Sequence, residues 1–162
     1  MTMKGDRLLG LADVIPGLEE GSGPGGALVG IQRMVSVPIG APLLVDGTTY
    51  KHALFVAPCD GCEVKGIWVS AAVAIAGGTN TLAFDNYDAS GDAARNVLEA
   101  ANWDPTGVTA LEGSEMTLQS TTLANLYMDE GDVLNCTLVC GTMTTDGEGM
   151  MVTAIVVVPE VA

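Results

Sequence analysis

Thr48–Ile75 reads TTYKHALFVAPCDGCEVKGIWVSAAVAI, and the fold turns on how this stretch is read. Two runs rich in Val, Ile, Thr and aromatic residues, TTYKHALFVAP and EVKGIWVSAAVAI, meet at Cys59-Asp60-Gly61-Cys62. Asp60-Gly61 is turn chemistry: glycine takes a positive φ at no steric cost, and Asp closes short turns with its side chain. In the second run Ile67, Val69, Ala71, Val73 and Ile75 share one face at period two, while Trp68, Ser70, Ala72 and Ala74 share the other. A strand, a tight turn and a second strand are expected.

The two cysteines also permit other readings. A local disulfide, half of a zinc site or a redox pair all fit the Cys59-x-x-Cys62 spacing. A thioredoxin-type pair opens a helix, whose dipole lowers the thiol pKa, but β-like EVKGIWV follows here. Zinc asks for four ligands around one ion. The other two cysteines, Cys136 and Cys140, lie in DVLNCTLVCG. On a strand they would stand roughly 13 Å apart, at about 3.3 Å per residue. That is too far to grip one metal, and a disulfide needs Cα atoms within about 7 Å. Leu134, Cys136, Leu138 and Cys140 alternate as buried small hydrophobes do. Cys59 and Cys62 are therefore expected as turn residues, with the disulfide, metal and redox alternatives open.

Outward from this hairpin the same grammar repeats. GIQRMVSV, NTLAFDNYD, SEMTLQS, DVLNCTLVCG and GMMVTAIVVVP read as strands. Turns at Asp46-Gly47, Gly77-Gly78, Glu130-Gly131 and Asp146-Gly147 separate them. MVTAIVVV is apolar on both faces, as expected of a central strand covered on both sides. ASGDAARNVLEAANW (89–103) is the one helical pattern, with Val97, Leu98 and Ala101 as a brief stripe. The expected fold is all-β: an antiparallel β-sandwich or jelly-roll-like domain over residues 31–162, with one short helix.

Residues 1–30 differ. Leu8, Leu9, Leu11, Val14, Ile15 and Leu18 recur at roughly helical spacing after Asp6, interrupted by Gly10 and Pro16. GLEEGSGPGG follows as a flexible linker by composition. The segment reads as an extended apolar arm tethered to the domain. An ordinary first element of the fold fits the pattern as well.

Acidic residues number 20 against 6 basic ones, a net charge of -14, so clustered phosphate contacts are not expected. Nucleic acid and anionic membrane are thereby disfavoured as partners. The opening breaks its apolar run at Gly10, Asp13 and Pro16, unlike a secretory leader, and GIWVSAAVAIA is well short of a membrane span of about 20 residues. Mean hydropathy is nonetheless positive at +0.38. So much apolar surface on a small acidic chain is most simply buried between subunits.

No catalytic constellation emerges, and no enzyme activity, metal or cofactor is expected. His52 stands alone, with no second His or Gly-x-Ser-x-Gly elbow to build a triad. GSGPGG (21–26) mimics a dinucleotide fingerprint but lacks the preceding strand. Asp88, Ser90, Asp92, Asn96 and Glu99 fall at calcium-loop offsets, but Ala93 occupies the glycine position. A solvated loop is expected there. Trp68 and Trp103 can stack on a sugar, although packing roles suit both.

HALFVAPCDGCEVKGIWVSAAVAIAGGTNTLAFDNYD (52–88) resembles the opening of small β-sandwich virion proteins of tailed bacteriophages. The matching features are the strand end Phe55-Val56-Ala57-Pro58, the Val-rich strand after it, and Asn80-Thr81-Leu82-Ala83-Phe84. Gly131-Asp132-Val133-Leu134 and the closing Val-rich strand extend the likeness over roughly residues 50–158; the cysteines depart from it. The resemblance implies a capsid decoration, or cement, protein. It would be a homotrimer made in the host cytoplasm and seated on the outer surface of an icosahedral head, bound to the major capsid protein and stabilising the shell. The apolar arm residues Leu8, Leu9, Leu11, Val14, Ile15 and Leu18 would make the capsid contacts. The alternative is a glycan- or calcium-binding β-sandwich module of a virion fibre or surface layer. A cupin-like enzyme is a more distant third, since its metal site needs several histidines.

Overall fold

The apolar alternation becomes nine strands among the residues described, 30–90 and 93–160, in a computed structural model of the chain. They are β1 (Gly30–Leu43), β2 (Thr49–Val56), β3 (Cys62–Ser70), β4 (Thr81–Tyr87) and β5 (Ala94–Asn96). Then follow β6 (Ser114–Glu115), β7 (Tyr127–Met128), β8 (Val133–Val139) and β9 (Glu148–Pro159). One sheet runs β1-β9-β3, with β6 and β7 both on the far edge of β3; the other runs β2-β8-β4-β5. All named pairings are antiparallel. Most connections pass from one sheet to the other, which is the winding of a jelly roll. The all-β expectation holds.

Alternation places Val152, Ala154 and Val156 of β9 inside, against Leu82, Phe84, Leu134 and Leu138 of the facing sheet. Each such large side chain contributes about 1.5–3 kcal/mol by leaving water. Register shifts in β1, β2 and β3 adjust the phase, that of β1 falling between Ile39 and Leu43. The register of β3 slips between Val64 and Gly66, so Cys62 and Val64 point inward before Lys65, and Ile67 and Val69 after it. In β2 the slip falls between Ala53 and Phe55, and the extra residue Leu54 is itself buried.

Three buried polar residues tie loops and sheets together. Asn80 donates to Gly77 O at 2.8 Å and accepts from Gly141 N at 2.9 Å. Asn86 of β4 donates to Tyr127 O in the opposite sheet at 2.7 Å. Asp132 accepts from Ala89 N, Asp129 N and the Arg95 guanidinium, the last at 2.6 Å.

Two expectations are corrected. The predicted helix over 89–103 is absent: β5 pairs with β4, and Leu98 and Trp103 bridge to Leu118 and Leu82. The backbone finds better partners across strands, with Val97 donating to Phe84 O and accepting from Gln119 N. Asn96 closes its own turn onto Leu98 through both side-chain atoms. The helical content of the described residues is two short 3-10 turns, Pro105–Gly107 and Leu123–Leu126. Secondly, β9 is central and buried on one face only. Its other face, with Met151, Thr153, Ile155 and Val157, stays half-exposed, because no described layer packs over it. The arm residues Leu8, Leu9, Leu11, Val14, Ile15 and Leu18 lie outside the described residues, as does Asp92.

Candidate interaction surface

The uncovered face of the β1-β9-β3 sheet follows from its register. Gln32, Val157 and Glu63 form one row across the strands, with Tyr127 beyond, and Met34, Ile155 and Gly66 form the next. Ser36, Thr153, Trp68 and Glu115 make the third row, in which the Ser36 and Thr153 hydroxyls hydrogen-bond at 2.9 Å. The first two rows carry Met34, Ile155, Val157 and Tyr127. Met34 is 72 % exposed and Tyr127 43 %, unusual for large apolar side chains on a sheet. Lys65 and Glu63 pair at 2.6 Å on the rim, an exposed bridge worth about 0–1 kcal/mol.

β1 adds a free edge, since no described strand pairs beyond it. Pro38 and exposed Arg33 are the residues that discourage adventitious pairing along it. Gly30 stands opposite Pro159, so the patch lies at the end of the sheet where the described residues begin. The opposite end exposes Leu43, Val45, Val73 and Val139 around the Asp46-Gly47 turn.

The cysteines resolve as turn and core. Gly61 has φ +80, as a tight turn between β2 and β3 requires. Cys59 is half-buried and Cys62 fully buried, its Sγ donating to Cys59 O at 3.3 Å. Burial pushes the Cys62 thiol up, partly opposed by its hydrogen bond to Cys59 O. Cys136 and Cys140 are buried on the inner side, as alternation predicted. Burial, helped by Asp85, pushes Cys136 to about 12, leaving an inert thiol.

The remaining candidates are occupied with folding. His52 Nε2 faces Gly40 N–H at 3.5 Å, linking β2 to β1. Of the calcium-loop pattern, Asp88 accepts from Ser90 N, which holds its carboxyl below the usual range. Glu99 accepts from the Ser120 backbone and hydroxyl. Asn96 is committed to Leu98. Among the described residues no three His, Cys, Asp or Glu side chains are grouped to hold an ion.

Sequence reasoning missed the patch around Ile155, although its signal was available. Outward positions Met151, Ile155 and Val157 of β9 are apolar, and this marks a face that no described element covers rather than a covering layer.

No protein-family model and no curated protein matches the chain. Among solved structures it is similar to a chain of the cyanophage Pam1 capsid asymmetric unit. The likeness has a TM-score of 0.47 at 18% identity and covers 90% of this chain and 100% of that one.

Proposed function

We propose that this chain is a structural virion protein that decorates and stabilises an icosahedral phage head. It binds the outer surface of the major capsid protein as a homotrimer, without catalysis. The observation that carries the reading is the apolar sheet face around Met34 and Ile155, uncovered among the described residues and at the end of the sheet where they begin. Jelly rolls serve capsids, lectins and cupins alike, so the fold does not choose among them. The surface supports the capsid reading, together with the bacteriophage-like strand pattern of residues 52–88.

The physics suits such a role. A bracket across capsomer joints needs apolar footprint and multivalency rather than reactive groups. Three linked copies convert later contacts into intramolecular ones, which raises avidity. The arm residues Leu8, Leu9, Leu11, Val14, Ile15 and Leu18 extend the footprint from a Gly-rich tether, at the entropic cost of ordering on docking. The acidic remainder keeps decorated particles apart.

Deleting residues 1–20 tests this. The truncated protein is expected to keep its circular dichroism and its trimer mass, and to lose co-sedimentation with heads. Full occupancy by the truncated chain overturns the arm's role, and a monomer that turns over a small molecule overturns the whole reading.

A further inference from the structure

Further along the same sheet face, Trp68, Ser70, Leu111, Glu112 and Thr153 line an open cleft of about 550 Å3. The Trp68 indole folds back along β3 over Gly66. A Cβ at Gly66 would lie 2.2 Å from the ring carbon Cη2 and 2.3 Å from Cζ3. The half-buried ring is thus seated on backbone, with its remaining surface bordering the cleft. The ring is packed on its own strand rather than extended into solvent. The opposite rim is unusual too. Leu111 holds φ 64, a left-handed conformation costly for a branched side chain, and is 85 % exposed. Its N–H donates to Ala71 O at 2.8 Å, which pins the loop to the end of β3. Strain in a side chain that buries almost nothing adds no folding stability, and such strain collects at ligand sites.

We propose that this cleft is a subsite for a neutral sugar ring. The apolar C–H face of a pyranose stacks on Trp68, and its hydroxyls bond to Glu112 and Ser70, with Thr153, whose hydroxyl already pairs with Ser36, at the edge. The lining favours this occupant over an apolar protein segment, because a carboxylate and the Ser70 hydroxyl share the cleft with the ring. The net charge of -14 disfavours anionic sugars. Trp103 is the internal contrast. It lines a second, smaller cleft with Glu99, Glu115, Met116 and Thr117, but there Glu99 is engaged by Ser120 and the Trp103 ring packs against the hydrophobic core. The proposal does not rest on capsid docking, although the Trp68 ring over Gly66 borders the Met34–Ile155 row.

The experiment is saturation-transfer NMR and calorimetry on the full chain with maltotriose, cellotriose, chitotriose and sialyllactose. At least one neutral trisaccharide is expected to bind with a Kd of about 1 mM or tighter. Trp68→Ala and Glu112→Gln should each weaken it by about tenfold or more, and Trp103→Ala should leave it unchanged. Glu112 is exposed in a loop, so Glu112→Gln reports even if Trp68→Ala fails to fold. The proposal is overturned if none of the neutral sugars binds up to about 20 mM. It also fails if binding survives both the Trp68 and Glu112 variants, or if sialyllactose alone binds. Protection of Trp68 from N-bromosuccinimide in head-bound protein would make the cleft a protein contact instead.

Discussion

Gly78 shows how narrowly single positions are constrained. Its φ is +77, and a Cβ there would come within 1.6 Å of the Thr142 carbonyl oxygen. The obstacle is backbone and cannot swing aside. Gly78→Ala is expected to destabilise the fold by about 3 kcal/mol, combining left-handed strain with overpacking. Urea unfolding measures this directly. Asp132 is the polar counterpart: one buried carboxylate serves two backbone N–H groups and Arg95. Arg95 Nε already lacks a partner. Asp132→Ala should therefore cost about 3 kcal/mol, since a partly buried guanidinium and two donors would be left unpaired. Neither constraint was legible from residue identity. Gly77-Gly78 was read correctly as a turn, but what stands opposite it depends on a loop more than sixty residues away.

At the scale of elements, β2, β3, β4, β8 and β9 were legible because their period-two patterns are long and glycine-bearing turns bound them. β5 was not. Its three residues pair with β4 through tertiary context, while Val97, Leu98 and Ala101 imitate a helical stripe. Asp85 of β4 makes a prediction about pH. Burial holds its carboxyl above its ordinary value, so the folded state binds this proton more tightly than the unfolded chain does. Stability is therefore highest with Asp85 protonated, and is lost as pH rises from about 3.9, the unfolded value, through the raised folded value. Asp85→Asn should stabilise the protein at pH 7, and its advantage should shrink toward zero as pH falls below about 4. Denaturant midpoints of the two proteins across pH 3–7 check the sign. An advantage that does not change with pH would point to some other cause.

For the whole molecule, sequence reasoning reached the fold class but not the exposed patch, because the strand order decides which apolar face is covered. The arm, residues 1–30, carries its contacts by proposal. The patch makes its own prediction. If Met34 is buried between copies of the chain, thermal stability must rise with protein concentration, as it does for any self-associating fold. Met34→Glu should abolish that rise and leave the midpoint at high dilution nearly unchanged, since a side chain 72 % exposed contributes little to the isolated subunit. Scanning calorimetry over a hundredfold dilution series is the measurement, and a flat response in the parent protein would remove self-association from the account. The register of β9 has a last consequence, for biogenesis. This strand lies between β1 and β3, and Ser36 reaches its hydroxyl partner across 117 residues of sequence. One sheet therefore has no centre until residues 148–159 have left the ribosome. Until then β1 and β3 lack their shared partner, so this sheet is expected to form late, and its outer surface to be complete only on finished subunits.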